Sequence, residues 1–138
     1  MLSNLILCAA TVFLAEAPAT HPAAAQFTLH PIEEAIIQAT NAQRAAYGLP
    51  PLAMDPELVK SARAHTAWMT TYHVLQHTRQ PVAENIAMGQ RDCPEVMSCW
   101  MSSPGHRANI LNPGYRRIGA AAYRAPSGTV FWCQQFMP

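Results

Sequence analysis

Apolar residues recur every three or four positions in three stretches of the chain, which is the period of an amphipathic helix. The second stretch includes His65, which this period places among the core positions. Each stretch opens with a proline, an acidic side chain or both, and these residues favour the first turn of a helix. A short fourth helix is predicted to begin in the Ser-Ser-Pro-Gly turn at residues 102–105. The predicted helices start near Pro31, Pro56, Cys93 and Pro104.

The pattern becomes strand-like towards the C-terminus. Residues 118–123 and 129–136 are rich in apolar residues, and the segment between them contains a Pro and a Gly typical of a hairpin. The apolar residues of the last run fall on both faces: Val130, Trp132 and Phe136 on one, Phe131 and Cys133 on the other. Such a strand is typical of the centre of a sheet that helices cover on both sides, which predicts an α+β fold. Residues 84–89 are predicted to be a short extended segment or a turn.

Residues 1–25 are predicted to be a signal peptide, and residues 26–138 a single domain. The apolar run at residues 5–15 is too short to span a membrane, and three alanines at residues 23–25 form a small-residue cleavage site. No Lys or Arg precedes the apolar run, so a retained anchor and a wrongly assigned start codon are the alternatives. We expect a secreted or periplasmic monomer without a stable transmembrane segment after cleavage.

The small net charge of the chain argues against a nucleic-acid partner. Only 12% of the 138 residues are charged, and the net charge is +1 with histidine counted as neutral. The arginines are scattered apart from the pair Arg116-Arg117, so the sequence forms no basic patch. We therefore expect no nucleic-acid partner.

Three cysteines remain after the predicted leader. Cys93 and Cys99 are six residues apart on one predicted helix, which separates them beyond the reach of a disulfide. Cys133 is then their common partner. We predict a Cys93–Cys133 disulfide, because Cys93 lies at a helix start near a loop, whereas Cys99 beside Trp100 is predicted to be a buried small hydrophobe.

Several familiar catalytic motifs are missing from the sequence. There is no G-x-S-x-G nucleophile motif, no H-E-x-x-H zinc helix and no phosphate-binding glycine loop. The remaining candidates are His77, Glu84 and His106, which come from a loop, an extended segment and a helix start. Two imidazoles and one carboxylate form either a zinc site with an open fourth position or a hydrogen-bonded polar cluster.

An ordered set of motifs in the chain resembles the short bacterial branch of the CAP superfamily. This superfamily groups cysteine-rich secretory proteins, antigen 5 and pathogenesis-related 1 proteins, and its module is also called the SCP domain. The motifs are Asn41-Ala42-Gln43-Arg44 with Gly48-Leu49-Pro50-Pro51-Leu52, Glu84-Asn85-Ile86-Ala87, the stretch from Trp100 to Leu111, and the stretch from Trp132 to Phe136. The resemblance covers almost all of residues 31–137 and implies an α-β-α sandwich with a small, mostly antiparallel central sheet.

The resemblance also implies a binding cleft. Members of the superfamily often hold a cavity with two histidines and two acidic residues, which binds a divalent metal in some of them. By position His77 and His106 correspond to the two histidines and Glu84 to the first acid, whereas Ser103 replaces the second acid. Because a neutral hydroxyl is a weak zinc ligand, the metal site implied by the resemblance has at most His77, Glu84 and His106 as good ligands.

Four residues near these candidates are predicted to have structural roles. Ser103 is expected to cap the short helix that follows it. Asn85 and Asn109 are expected to fix the backbone by hydrogen bonds, and Arg107 to pair with a carboxylate or a carbonyl.

Three functions are compatible with this sequence. The favoured hypothesis is an exported, non-catalytic protein whose cleft of His77, Glu84, Ser103 and His106 binds a small ligand, a lipid or a cell-envelope component. The second is a metal-dependent hydrolase in which the histidines hold zinc and Glu84 acts as ligand or general base. The third is a structural or interaction module, in which the same residues matter only for stability.

Overall fold

The computed structural model describes residues 27–138, and in that range the chain forms four helices and four strands. The helices are α1 (Pro31–Ala46), α2 (Pro56–Tyr72), α3 (Cys93–Ser102) and α4 (Pro104–Ile110), and the strands are β1 (Ala53–Met54), β2 (Ala83–Met88), β3 (Arg117–Arg124) and β4 (Val130–Met137). Within this range no helix combines the length and the apolar character needed to cross a bilayer. The predicted leader lies outside the described residues.

The helix starts follow from short local signals, and all four were predicted at the correct residue. The Asp55 side chain accepts hydrogen bonds from the N–H groups of Glu57 and Leu58 at the start of α2. The Asp92 side chain accepts one from the N–H of Glu95 at the start of α3. These carboxylates satisfy N–H groups that have no partner within the helix, so they fix where each helix begins.

The strands form one mixed sheet in the order β1-β3-β4-β2. β4 lies between β3 and β2 and pairs with both in antiparallel fashion, whereas β1 pairs with β3 in parallel. The sheet is therefore mostly antiparallel, as expected. Strand β1 was not predicted, because its two residues are exposed and carry no apolar pattern.

The helices cover the sheet on both faces, which confirms the predicted α-β-α sandwich. On one face Trp132 and Phe136 of β4 belong to a core cluster with residues of α1 and α3, such as Ile36 and Trp100. On the other face Phe131 packs in a second cluster with side chains of α2. The apolar residues on the two faces of β4 thus supply both halves of the core.

Gly119 on β3 permits close packing between the sheet and α2. A Cβ atom at this position would overlap backbone atoms of Leu58 and Val59 in the first turns of α2. Because these are backbone atoms, no side-chain movement can relieve the overlap. The distance between the helix and the sheet is therefore set by the absence of a side chain at Gly119.

The predicted Cys93–Cys133 disulfide does not form. In the described part of the chain Cys93, Cys99 and Cys133 are all free thiols. Cys93 belongs to the core cluster on the α1 and α3 side of the sheet, and Cys133 to the cluster on the α2 side, so the sheet separates them. The prediction for Cys99 is also wrong, since this residue is exposed. Burial raises the pKa of both Cys93 and Cys133, which favours the protonated thiol.

We expect the substitution Gly119→Ala to lower the free energy of unfolding by about 1–3 kcal/mol, the usual cost of overpacking a core. Gly105→Ala is a matched control, because a Cβ at that position meets no atom within 4 Å. Urea unfolding of the two variants and the wild type measures the difference. Equal stability of both variants would contradict the close approach of α2 to β3.

Candidate functional site

Four polar side chains form a buried band across β2 and β4. Glu84 lies opposite Gln135, and Asn85 lies opposite Gln134 in the strand register. Residues next to each other on a strand point to opposite faces, so each face of the sheet carries one of these pairs. Gln135 donates a 2.9 Å hydrogen bond to Glu84, and Asn85 donates one of 2.9 Å to Gln134. We refer to these four residues as the polar band.

Glu84 is a buried carboxylate with hydrogen bonds to both of its oxygens. Oε1 accepts from Nδ1 of His77 at 2.8 Å and from the backbone N–H of Thr78 at 2.9 Å. Oε2 accepts from Nε2 of Gln135 at 2.9 Å and from the Cys133 thiol at 3.6 Å. Burying a charge costs free energy unless the protein replaces its hydration. These four donors replace the hydration of the Glu84 carboxylate.

The same carboxylate holds the loop between α2 and β2, residues 73–82, against the domain. Its Oε1 anchors His77 and Thr78 of this loop. His65 of α2 adds a third anchor, because its Nε2 lies 2.8 Å from the carbonyl oxygen of Gln76. A carbonyl can only accept, so Nε2 of His65 carries the proton. The loop is therefore fastened at three successive residues.

His65 is a site residue that the sequence analysis missed. Its Nε2 lies 3.7 Å from Oε2 of Glu84, and its side chain is only 10% exposed. Helical periodicity assigned this residue to the core, and no sequence motif distinguishes a core histidine from one that borders a site.

Gln134 and Gln135 were also missed, although a signal was present. They are two adjacent amides in a strand that is otherwise apolar on both faces. Buried amides require hydrogen-bond partners, so such a pair marks polar groups on both sides of the sheet.

On the face of the sheet opposite Glu84, the pair Asn85 and Gln134 holds the start of α4 in place. Asn85 donates to the backbone oxygen of His106 at 3.0 Å, and Asn109 donates to Oδ1 of Asn85 at 2.9 Å. The hydrogen bonds continue in the same direction towards α1, where Gln134 donates to Thr40 and Thr40 donates to the backbone oxygen of Ile36. This hydrogen-bond chain joins α4, β2, β4 and α1.

The His106 imidazole is half-buried and makes no hydrogen bond with another residue of the range 27–138. Burial and then the charge of His77 lower the pKa of His106 below the ordinary histidine value. The two imidazoles therefore interact electrostatically, and His106 stays neutral over a wider pH range than a solvent-exposed histidine.

Ser103 and Arg107 do not make the contacts that were predicted for them. Ser103 occupies the N-cap position of α4, but its side chain makes no capping hydrogen bond. The Arg107 guanidinium pairs with neither a carboxylate nor a carbonyl among residues 27–138. It lies 5.1 Å from the centre of the Tyr47 ring and donates to the tyrosine hydroxyl at 2.9 Å.

The open surface next to the site lies between α2 and the 73–82 loop. Two adjoining pockets of about 340 and 510 Å³ share His65, Trp68 and Thr78 in their walls, and we call them together the α2 groove. His77 lines the smaller pocket, whereas Ser103 and His106 line neither. The structure thus joins His77 to Glu84 by contact and places His106 outside the groove.

The residues present do not fit a metal centre. No group of three or more His, Cys, Asp or Glu side chains in the described range is arranged to hold a metal ion. Both oxygens of Glu84 already accept hydrogen bonds, and the hydroxyl of Ser103 is a weak donor to zinc. Only the two imidazoles of His77 and His106 remain as candidate ligands.

Comparison with protein families gives one match over most of the chain. The model of the cysteine-rich secretory protein family, CAP, matches residues 37–136.

Three individual proteins are similar to this chain in sequence or in structure. The YkwD protein of Bacillus subtilis is 37% identical in an alignment of 122 positions that covers 76% of this chain and 46% of YkwD. An extracellular protein from Bacillus anthracis that contains an SCP domain is 26% identical with a TM-score of 0.65, over 81% of this chain and 45% of that one. An outer surface protein of Borrelia burgdorferi has a TM-score of 0.69 at 18% identity, over 75% of this chain and 89% of its own. The chain thus spans less than half the length of the two Bacillus proteins.

We expect an NMR titration to place the pKa of His106 below that of an ordinary histidine, and His77→Ala to raise it. The substitution removes the repulsion between the two imidazolium groups, while the burial of His106 remains. The exposed His73 offers a matched control as His73→Asn, because asparagine tolerates the left-handed backbone (φ 51°) at this position. An unchanged His106 pKa in His77→Ala would contradict the inferred interaction.

The lowered pKa of His106 also determines how its contribution to stability changes with pH. The folded-state pKa of His106 is lower than its unfolded-state pKa, so the unfolded chain binds this proton more tightly. The stability that His106 contributes is present above the unfolded-state pKa and is lost as the pH falls through the folded-state pKa. We expect His106→Gln to lose less stability than the wild type over that acidic range in thermal unfolding. Parallel losses in the two proteins would contradict this expectation.

We expect zinc titrated into the protein to give no saturable heat in the micromolar range. The reason is the shortage of donors, since the Glu84 oxygens are occupied by hydrogen bonds and two imidazoles alone hold zinc weakly. Isothermal calorimetry measures this. A stoichiometric heat that disappears in His106→Ala would prove the expectation wrong.

Proposed function

This chain belongs to the cysteine-rich secretory protein (CAP) family, and from that premise we propose that it is an exported, non-catalytic binding protein. Its cleft is the α2 groove, in which His77, held by Glu84, forms part of the wall, and this cleft takes a small ligand, a lipid or a cell-envelope component. His106 lies outside the groove and interacts electrostatically with His77. The observation that carries this proposal is the hydrogen-bonding of Glu84, which fastens the 73–82 loop beside an open groove. A wall held in place before the ligand arrives lowers the entropic cost of binding.

The chemistry of the cleft supports binding over catalysis. A general base needs a free lone pair near its substrate, and each oxygen of Glu84 already accepts two hydrogen bonds. The thiol next to it, Cys133, is fully buried, and burial followed by the charge of Glu84 raises its pKa well above the ordinary value. A protonated, inaccessible thiol is a poor nucleophile.

Export is supported by the predicted leader and by the relatives. The Bacillus anthracis protein with an SCP domain is described as extracellular. An exported protein of this kind would meet the lipids and polymers of the cell envelope before any other ligand.

We expect the purified protein to sediment with cell envelopes isolated from a Gram-positive or a Gram-negative bacterium. The double variant His77→Ala/His106→Ala should bind about tenfold more weakly, as expected when a few polar contacts are lost. The matched control is His73→Asn, which replaces an exposed histidine at the start of the same loop and should bind like the wild type.

Thermal unfolding of the same variants distinguishes this proposal from a purely structural role. If the double variant unfolds at a lower temperature but sediments like the wild type, the cleft residues serve stability alone and the proposal fails. Absence of sedimentation by the wild type with either envelope would also overturn it.

A further inference from the structure

Trp68 differs from the other two tryptophans of the chain. Trp100 and Trp132 are each 1% exposed, and their N–H groups donate to the backbone oxygens of Ile86 and Gln90. Trp68 is 40% exposed and belongs to the walls of both pockets of the α2 groove. A large aromatic side chain at the junction of two surface pockets costs solvation free energy in the absence of a ligand.

Two neighbours on α2 contact the indole of Trp68 and leave 40% of the residue exposed. His65, one turn earlier, stacks against it with ring centres 5.8 Å apart and an angle of 11° between the planes. Tyr72, one turn later, contacts it with ring centres 5.5 Å apart. His65 is itself anchored to the carbonyl of Gln76, so the orientation of the ring is coupled to the loop that Glu84 holds.

Hydrogen-bonding side chains lie at both ends of the groove around Trp68. The smaller pocket contains Gln76 and Arg79, and the larger one contains Ser61 and Gln80. Arg79 makes no hydrogen bond or ion pair with another residue of the part of the chain that the structure describes. The groove therefore presents one apolar ring between two sets of polar groups that are free to meet a ligand.

We propose that the α2 groove binds an oligosaccharide strand, with one sugar ring packed against the exposed part of the Trp68 indole and its neighbours hydrogen-bonded at either end. A sugar ring has a face of C–H groups, which suits the negative face of an indole, and a rim of hydroxyl groups, which suits amide, hydroxyl and guanidinium side chains. The groove runs along α2 from Glu57 to Trp68, about 16 Å at helical rise, so several sugar units can lie in it. The inference rests on the proposed function and names the class of envelope component.

The charges of the groove argue against a nucleic acid. Its two cationic side chains are Lys60 and Arg79, and Lys60 is already paired with Glu57 at 2.7 Å. A phosphate backbone requires several cations along its length for useful affinity. One unpaired arginine suits a single carboxylate or hydroxyl of a sugar instead.

A lipid surface is the remaining alternative, because Tyr72 and Leu75 near Trp68 are also exposed. These two residues line neither pocket. Insertion into a bilayer would use all three side chains equally, whereas a strand in the groove would use Trp68 alone among them. This difference makes Leu75 the matched control, because Tyr72 contacts the indole of Trp68 itself.

The test is calorimetric titration of the wild-type protein with chitotetraose and with tetragalacturonate, a neutral and an acidic oligosaccharide. We expect saturable binding of at least one of them. If Arg79 pairs with a carboxylate, tetragalacturonate should bind more tightly than chitotetraose. Trp68→Ala should weaken binding about tenfold or more, whereas Trp68→Phe, which keeps a stacking face, should stay within about threefold of the wild type. Leu75→Ala should bind like the wild type.

Two results would overturn the inference. One is the absence of binding by the wild type to both oligosaccharides. The other is sedimentation with phosphatidylglycerol vesicles that Trp68→Ala and Leu75→Ala reduce equally, which would identify a lipid surface.

Sedimentation with cell envelopes separates this inference from the proposed function. If Trp68→Ala sediments like the wild type while His77→Ala/His106→Ala does not, the binding function stands and the saccharide groove is wrong. If the wild type binds an oligosaccharide through Trp68 but does not sediment with envelopes, the groove stands and the envelope function fails.

Discussion

The burial of the Glu84 carboxylate is the constraint on which the arrangement of this domain depends. Moving a carboxylate out of water costs several kcal/mol unless the protein replaces its hydration. The replacement comes from the 73–82 loop and from β4, with His65 of α2 nearby. Since the donors lie on the loop and on β4, the carboxylate can be solvated only when the loop and the sheet are assembled correctly.

The two pairs of the polar band lie on opposite faces of the sheet and fix different parts of the structure. The pair Glu84 and Gln135 organises the loop and one wall of the α2 groove. The pair Asn85 and Gln134 fastens the start of α4 and hence the backbone of His106. The two histidines of the site are therefore positioned by adjacent residues of one strand, although they come from opposite sides of the sheet.

Local patterns were sufficient to predict the elements but not the contacts between them. Helix starts depend on a cap and a proline within a few residues, and the two apolar faces of β4 are visible in its own sequence. The predicted Cys93–Cys133 disulfide was wrong, because the spacing of Cys93 and Cys99 along α3 does not reveal which face of the sheet Cys133 occupies. His65 was missed for the same reason, since its partners Gln76 and Glu84 lie in other segments.

The hydrogen-bond chain from Asn109 through Asn85, Gln134 and Thr40 to the backbone of Ile36 runs in a single direction. At each step a side chain accepts from one neighbour and donates to the next, so its members are not interchangeable. Exchange of Asn85 for an aspartate would place a carboxylate against the Gln134 oxygen and remove a donor at the same time. Evolution can therefore change this part of the domain only by replacing partners together, and Asn85 and Gln134 should covary as a pair across the family.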